Sequence, residues 1–217
     1  MGEKEAQAVD GAKDRFARET IVEPEHIARA RAHALELGAA PVSAPVGAQI
    51  AVLAAASAAL NIVEIGTGAG ISGLWLLHGA PRAILTTIDT EPEHLAAARQ
   101  AFGDARIAPA RSRFITGRAA DVLPRMNEAS YDIVLVDADP EGVIEYVEHG
   151  LRLVRPGGTV LVPRVLAGGA VADPVRRDPV TTAYRSLITE TQNSPAVVGA
   201  LSTVAEGLLQ LTTLPSA

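Results

Sequence analysis

The chain has 217 residues, 48% of them hydrophobic, no cysteine and a formal net charge of −6 at pH 7. The negative charge argues against a surface for nucleic acid or for an anionic membrane, and the absence of cysteine excludes disulfides and thiolate metal sites. No apolar run reaches the roughly 18 residues needed to span a bilayer, and residues 1–20 lack the apolar core of a signal peptide. The cytoplasm is therefore the default expectation.

The predicted elements form one domain over residues 21–217, after a polar, frayed arm over residues 1–20. Helices are predicted at 24–37, 45–59, 92–102, 141–154 and 179–190, and one begins at Ile71. Strands are predicted at 62–65, 83–88, 113–116, 131–136, 159–162, 196–201 and 207–213. The short connection between the last two predicts an antiparallel hairpin. This alternation is typical of an α/β fold around a mostly parallel sheet, with the helices of residues 21–60 packed on it.

The segment NIVEIGTGAGIS at 61–72 is the most informative part of the chain. A short apolar strand leads directly into three alternating glycines, Gly66, Gly68 and Gly70, and a helical pattern follows. Glycine allows a positive φ and lets a ligand approach main-chain N–H groups without meeting a Cβ atom. The start of the helix adds unpaired N–H groups and the positive end of the helix dipole. The segment therefore predicts a nucleotide-type pocket at the carboxyl edge of a parallel sheet.

Two cofactor classes compete for this loop. A dinucleotide site has the pattern G-x-G-x-x-G, in which the third glycine allows close packing of helix and strand. Here Ile71 stands at that third position, and Glu64 lies two residues before Gly66, where it would face an anionic pyrophosphate. A carboxylate in this place suits a cationic ligand such as S-adenosylmethionine. The loop therefore favours S-adenosylmethionine over a nicotinamide dinucleotide.

Asp89 ends the second predicted strand, about 20 residues after the glycine loop, which is the distance at which an acidic residue accepts the hydroxyls of a ribose. The alternative is that Asp89 only interacts with the dipole of the helix that begins near Pro92. The agreement of strand end, spacing and glycine loop favours the ribose role.

Six segments carry a family resemblance: VEIGTGAGIS at 63–72, TIDTEPEH at 87–94, YDIVLVDAD at 131–139, LRLVRPGG at 151–158, VADP at 171–174 and EGLLQL at 206–211. Together they resemble the class I S-adenosylmethionine-dependent methyltransferases, specifically the small O-methyltransferases related to catechol and caffeoyl-CoA O-methyltransferases. The resemblance covers about residues 42–211. It implies a Rossmann-like, doubly wound, seven-stranded and mostly parallel sheet with an antiparallel last strand, O-methylation of a small-molecule acceptor, and a homodimer.

The resemblance also implies which residues bind the cofactor. Glu64 and Ser72 correspond to residues that hold its methionine end, and Asp89 corresponds to the ribose ligand. Arg118 departs from the acidic residue that many relatives have in the loop beside the adenine. The cofactor-binding positions implied are Val42, Glu64, Gly66, Thr67, Gly68, Ser72, Asp89, Gly117, Arg118, Ala119, Asp137 and Asp139.

The family's metal site matches less well. Relatives hold a divalent cation with an Asp that ends strand four and an Asp-Asn pair that ends strand five, and oxygen ligands of this kind suit Mg²⁺. Asp137 keeps the first ligand, but Pro163 and Arg164 stand in place of the pair, and Pro140 in place of the family's catalytic lysine. Proline has no side-chain oxygen and arginine repels a cation. We therefore expect no metal.

Arg164 has two interpretations. Its guanidinium can take the place of the metal, pair with Asp137 and bind an anionic oxygen of the substrate, or the side chain can extend into solvent. We name Asp137 and Arg164 as candidate catalytic residues. Asp137 or Asp139 would be the only base at the right strand end, whereas a carboxylate acceptor would need no base. No histidine is predicted at such an end, since His94 falls in the first turn of a helix.

Three function classes remain open from the sequence. The first is a metal-independent small-molecule O-methyltransferase. The second is a non-catalytic protein that binds S-adenosylmethionine or S-adenosylhomocysteine and has lost its chemistry with the metal ligands. The third is a nicotinamide-dependent oxidoreductase, which Glu64 and Ile71 disfavour. Turnover separates the first two classes, and the choice of cofactor separates both from the third.

Overall fold

The computed structural model describes residues 12, 15–16 and 19–214, so the predicted arm at 1–20 lies almost entirely outside the described residues. The helices are α1 (Glu25–Glu36), α2 (Ala44–Ala56), α3 (Ile71–Gly79), α4 (Pro92–Asp104), α5 (Ala119–Val122), α6 (Val143–Leu153) and α7 (Pro179–Gln192). The strands are β1 (Asn61–Ile65), β2 (Ile84–Asp89), β3 (Ser112–Thr116), β4 (Tyr131–Val136), β5 (Val154–Pro163), β6 (Val197–Ser202) and β7 (Leu208–Thr213). Among the described helices, none is long and apolar enough to cross a bilayer.

The seven strands form one sheet in the order β3-β2-β1-β4-β5-β7-β6. Strands β1 to β5 pair in parallel, while β7 is antiparallel to both of its neighbours, β5 and β6. The predicted seven-stranded sheet with an antiparallel last strand is confirmed, and so is the hairpin. The strand order reverses between β1 and β4, and a crevice at the carboxyl ends of the strands at such a switch point is the usual ligand site of this fold.

Two hydrophobic layers cover the sheet. Helices α1 to α4 pack on one face, and helices α5 to α7 pack on the other. Successive side chains of a strand point to opposite faces, so on β4 Ile133 and Leu135 face the first layer while Val134 and Val136 face the second. All four side chains are at most 3% exposed. This burial on both faces explains why β4 reads as a continuous apolar run and could be predicted to the residue.

Three of the element bounds that differ from the predictions have a local reason. Helix α2 ends at Ala56 and not at 59, because Ala58 adopts a positive φ of 48°. Helix α6 begins at Val143, because residues Pro140–Gly142 form a separate 3-10 turn. Strand β5 begins at Val154 and not at 159. Its pairing with β4 jumps from Tyr131–Val154 to Ile133–Thr159, and this irregularity accommodates the extra residues.

Candidate functional site

A cavity of about 650 Å³ lies at the carboxyl ends of β1, β2 and β4. The loops that follow these strands form its floor, and segment 38–42, between α1 and α2, forms part of its wall. Of the positions that the sequence predicts for the cofactor, all but one line it: Val42, Gly66, Thr67, Gly68, Ser72, Asp89, Gly117, Arg118, Ala119, Asp137 and Asp139. The carboxyl edge of the parallel sheet thus collects residues that are far apart in the chain.

The glycine loop after β1 approaches the end of β4 closely. Gly66 and Gly70 both have a φ of +88°, and Gly68 has a φ of +48°. A Cβ atom on Gly66 would lie 2.1 Å from the carbonyl oxygen of Asp137, whereas a Cβ atom on Gly68 would meet nothing within 4 Å. Gly66 is therefore required by packing against β4, while the space beside Gly68 belongs to the cavity.

Asp89 is oriented by backbone donors. Its Oδ2 accepts a hydrogen bond from the N–H of Gly68 at 2.9 Å, and its Oδ1 accepts one from the N–H of Glu91 at 2.9 Å. Each carboxylate oxygen has a second lone pair that can accept a further donor. His94 lies beside it, with Nδ1 3.5 Å from Oδ1 of Asp89. The aspartate is therefore held at the cavity wall and retains acceptor capacity for a ligand.

Glu64 is the one predicted cofactor position that does not line the cavity. Its carboxylate is fully buried and accepts hydrogen bonds from Oγ of Ser72 at 2.7 Å and Oγ1 of Thr87 at 2.6 Å. Burial raises the pKa of the Glu64 carboxyl to about 7, against the lowering effect of these two hydrogen bonds. The structure thus places Ser72 on the wall and Glu64 behind it.

Arg164 follows directly after β5 and turns toward the end of β4. Its Nε donates to Oδ1 of Asp137 at 2.7 Å and its Nη2 to Oδ2 at 3.3 Å, which makes a bidentate ion pair. The same Nη2 donates to the carbonyl oxygen of Ala40 in the cavity wall. The Arg164 side chain is 31% exposed and that of Asp137 is 11% exposed. Of the two interpretations of Arg164, the structure has the paired one, and its backbone φ of +62° is uncommon for a residue with a Cβ atom.

The surroundings of Asp137 do not suit the family's divalent cation. Its carboxylate already faces a guanidinium, and Pro163, the other substituted position, has no side-chain oxygen. Over residues 19–214, no group of three or more histidine, cysteine or acidic side chains is arranged to hold a metal ion. Pro140, at the position of the family's lysine, lines the cavity.

The second acidic residue after β4 is also engaged. Asp139 accepts a hydrogen bond from the N–H of Glu141 at 3.3 Å and so caps the 3-10 turn that starts at Pro140. Its side chain is exposed, unlike that of Asp137. Each of the two candidate bases predicted from the sequence therefore has a partner within the protein.

Three aromatic residues of the cavity wall were not predicted: His94 from α4, Tyr146 from α6 and Tyr184 from α7. Burial, and then the negative charge of Asp137, raise the pKa of Tyr184 to about 12. Burial and the carboxylates of Asp139 and Glu145 also raise the pKa of Tyr146. The chain has only three tyrosines. Two of them lie on the helices that follow β4 and β5, and this placement could have indicated from the sequence that they reach the cavity.

Segment 38–43 closes the cavity on the side of the N-terminal helices and is held by residues outside it. Arg31, paired with Glu23, donates from Nη1 to the carbonyl oxygen of Val42 at 2.7 Å. Oε1 of Glu206, from the turn between β6 and β7, accepts the N–H of Ser43 at 2.7 Å. With the contact from Arg164 to Ala40, three charged side chains fix the main chain of this wall.

Comparison with known proteins identifies the family. A profile of the O-methyltransferase family matches residues 20–212. The chain belongs to the O-methyltransferase family. This O-methyltransferase is 48% identical over 184 residues to a probable O-methyltransferase of Mycobacterium tuberculosis, and the match covers 82% of each chain.

Solved structures of the family resemble this O-methyltransferase over nearly its whole length. TomG from Streptomyces achromogenes, an O-methyltransferase involved in tomaymycin synthesis and solved in complex with S-adenosylmethionine, is 30% identical, with a TM-score of 0.81 and coverage of 99% of this chain and 100% of that one. An O-methyltransferase from Bacillus cereus, in complex with S-adenosylhomocysteine, is 25% identical, with a TM-score of 0.82 and coverage of 93% and 97%. Both have the fold described above.

Proposed function

We propose that this protein transfers a methyl group from S-adenosylmethionine to an oxygen atom of a small molecule, and that it does so without a divalent metal. Membership of the family and the cofactor complexes of its Streptomyces and Bacillus relatives support the first part. The ion pair between Arg164 and Asp137 carries the second part.

The cofactor fits the cavity by the chemistry of its wall. The cofactor's ribose hydroxyls are donors for Asp89, and its cationic methionine end suits Ser72 with the carboxyl of Glu64 behind it. The adenine would lie against the loop of Gly117, Arg118 and Ala119, which lines the cavity. Bound S-adenosylmethionine supplies an electrophilic methyl group on a sulfonium. The protein's task is then to hold the acceptor oxygen close and aligned, which is the main source of catalysis in such a transfer.

Arg164 takes over the charge that a metal would bring to the end of β4. A divalent cation needs carboxylate or amide oxygens that no other cation occupies, and here Asp137 is bound in two places by the guanidinium. Arginine also presents a planar set of donors that binds carboxylate and phenolate oxygens. We assign Arg164 the role of binding the acceptor, and Asp137 the role of orienting the Arg164 guanidinium.

Cofactor binding is expected to be independent of metal. In calorimetric titrations, S-adenosylmethionine and S-adenosylhomocysteine should bind with the same affinity in magnesium and in EDTA, and NADH should not bind. The reason is that the groups assigned to the cofactor are hydroxyls, carboxylates and backbone N–H groups of the protein. Affinity that falls at least tenfold in EDTA would contradict the metal-free assignment, and binding of NADH alone would contradict the cofactor.

Glu206 is expected to support cofactor binding from a distance, through segment 38–43. Glu206→Ala removes the acceptor of the Ser43 N–H, and a hydrogen bond to a charged group contributes about 1.5 to 3 kcal/mol. We expect S-adenosylhomocysteine to bind roughly five- to tenfold more weakly, since part of that free energy is regained from water. Glu206→Gln keeps an Oε1 acceptor and is the matched control. Equal affinities of the two variants in the same titration would show that this wall does not depend on Glu206.

One observation favours the alternative of a non-catalytic binding protein. Asp137 is paired and Asp139 caps a turn, so neither carboxylate is a free base for a hydroxyl acceptor. Production of S-adenosylhomocysteine in the presence of an acceptor separates the alternatives. Binding of the cofactor with no turnover of any acceptor would favour the non-catalytic protein.

A homodimer and a cytoplasmic location also remain proposals. Strand β6 forms one edge of the sheet, and the exposed side chains on it include Val198 and Leu201. An exposed apolar edge strand is a template for pairing with another chain, which supports a dimer. Light scattering behind size-exclusion chromatography tests it directly.

A further inference from the structure

We infer that the acceptor oxygen belongs to a carboxylate, so that the product is a methyl ester. This inference rests on the proposed function and specifies its substrate class. It follows from the groups that the wall offers around the end of β4, which are hydrogen-bond donors and engaged carboxylates, with no free base among the described residues.

The donors come from Arg164 and Tyr184. The ion pair with Asp137 and the contact with Ala40 use Nε and Nη2 of Arg164, while Nη1 has no acceptor among residues 19–214. Two N–H groups of a permanent cation on the cavity wall are thus available to a ligand. Tyr184, 4% exposed, lines the same end of the cavity and is electrostatically coupled to Arg164 and Asp137. A guanidinium and a phenol together can hold one carboxylate through both of its oxygens.

The same wall has no group suited to remove a proton from a hydroxyl. A base for a phenol or an alcohol must be near the acceptor and unprotonated at the working pH. With a pKa of about 12, Tyr184 keeps its proton at neutral pH, and the raised pKa of Tyr146 has the same effect. His94 lies next to Asp89, on the side assigned to the ribose. Pro140 stands where the family has a lysine.

A carboxylate needs none of these groups. Carboxyl groups have a pKa near 4, so at neutral pH the nucleophile is already formed. A lone pair of the carboxylate oxygen forms the new bond to the methyl carbon, and the bond between that carbon and sulfur breaks with its electron pair left on sulfur. The anion and the sulfonium cation are consumed together, which yields a neutral ester group and the thioether of S-adenosylhomocysteine. No proton is taken up or released.

The charges at this end of the cavity are compatible with an anion. Arg164 and Asp137 neutralise each other, and the cofactor's sulfonium places a positive charge opposite the acceptor. Asp139 and Glu206 are further carboxylates nearby. Asp139 is exposed to solvent and held by the Glu141 N–H, so water screens its repulsion, while Glu206 accepts the Ser43 N–H and interacts with the positive charge of Arg164. The attraction between acceptor and sulfonium is unscreened in comparison, since the two are in contact when they react.

The experiment uses the whole protein and pairs of probes that share a skeleton: benzoate and benzyl alcohol, cinnamate and cinnamyl alcohol, salicylate and catechol. S-adenosylhomocysteine is titrated first, and each probe is then titrated into that complex. We expect the carboxylates to bind at least tenfold more tightly than their hydroxyl partners. Arg164→Gln should abolish this preference, and Arg82→Gln, at an exposed position outside the cavity, should keep it.

Turnover with methyl-labelled S-adenosylmethionine gives a second readout. A methyl ester releases its label as methanol in mild alkali, and a pH indicator in weak buffer should record no proton release. An alkali-stable product with one proton released per turnover, equal binding of both members of every pair, or no binding of any carboxylate would each overturn the inference. Failure of S-adenosylhomocysteine to bind in the first titration would instead overturn the proposed function.

Discussion

Replacing Gly66 with alanine is expected to destabilise the protein by about 2 to 6 kcal/mol. The new Cβ atom would lie 2.1 Å from the Asp137 carbonyl oxygen, and the backbone φ of +88° is unfavourable for alanine. Overpacking against a backbone that cannot move costs about 1 to 3 kcal/mol, and a strained φ costs a similar amount. Urea denaturation followed by circular dichroism measures the loss, and binding of S-adenosylhomocysteine should be lost with it.

Gly68→Ala is the matched control, since it makes the same chemical change two residues away. Its φ of +48° is a left-handed conformation that alanine can adopt at a cost of about 1 kcal/mol, and its Cβ atom would meet no protein atom. This variant should therefore keep most of its stability but bind the cofactor more weakly, because the added methyl group enters the cavity. If both variants lost stability equally, steric contact with the end of β4 would not explain why glycine is needed at position 66.

The side of the cavity that we assign to the cofactor could be predicted from the sequence because parallel strands end at one edge. Once β1, β2 and β4 are recognised, the residues after them, such as Gly66, Asp89 and Asp137, must come together whatever the details of packing. The depth of each side chain does not follow from this rule. Glu64 is on the strand itself, and only the hydrogen bonds from Ser72 and Thr87 show that it lies behind the wall.

The side that we assign to the acceptor could be predicted only in part. Tyr184 reaches the cavity because α7 packs on the second layer of the sheet, a long-range contact that periodicity does not report. The direction of Arg164 depends on Asp137 and on Ala40, which is in a loop more than a hundred residues away in the chain. A long side chain with several rotamers takes its direction from such partners. That Pro163 and Arg164 stand in place of the family's Asp-Asn pair was visible in the sequence. That Arg164 pairs with Asp137 was visible only in the structure.

Glu64→Gln is expected to stabilise the protein above pH 7 while weakening cofactor binding. Burial raises the pKa of the Glu64 carboxyl from its ordinary value of 4.5 to about 7. Between these two pH values, the folded protein keeps the Glu64 proton while the unfolded chain releases it. The unfolding free energy therefore falls as the pH rises through this window, by about 3 kcal/mol in all. Glutamine has the same shape and no charge, so the variant lacks this loss.

The measurement is urea denaturation of both proteins between pH 4 and pH 9. The difference in unfolding free energy should be small near pH 4, grow between pH 4.5 and about 7, and stay constant above that range, because other titrating groups cancel in the comparison. S-adenosylmethionine should release a proton from Glu64 on binding near pH 6, since its cationic methionine end favours the carboxylate, and the variant should show no such release.

A difference between the two proteins that does not vary with pH would show that Glu64 has the same pKa in the folded and the unfolded chain, and the stability argument would fail. The opposite sign, with wild type gaining stability as the pH rises through the range below about 5, would mean that Ser72 and Thr87 stabilise the carboxylate more than burial penalises it. The two hydroxyls donate to the two oxygens of a fully buried group. Retaining such a group is understandable if its negative charge is used, as in the proposed binding of the methionine end of the cofactor beside Ser72.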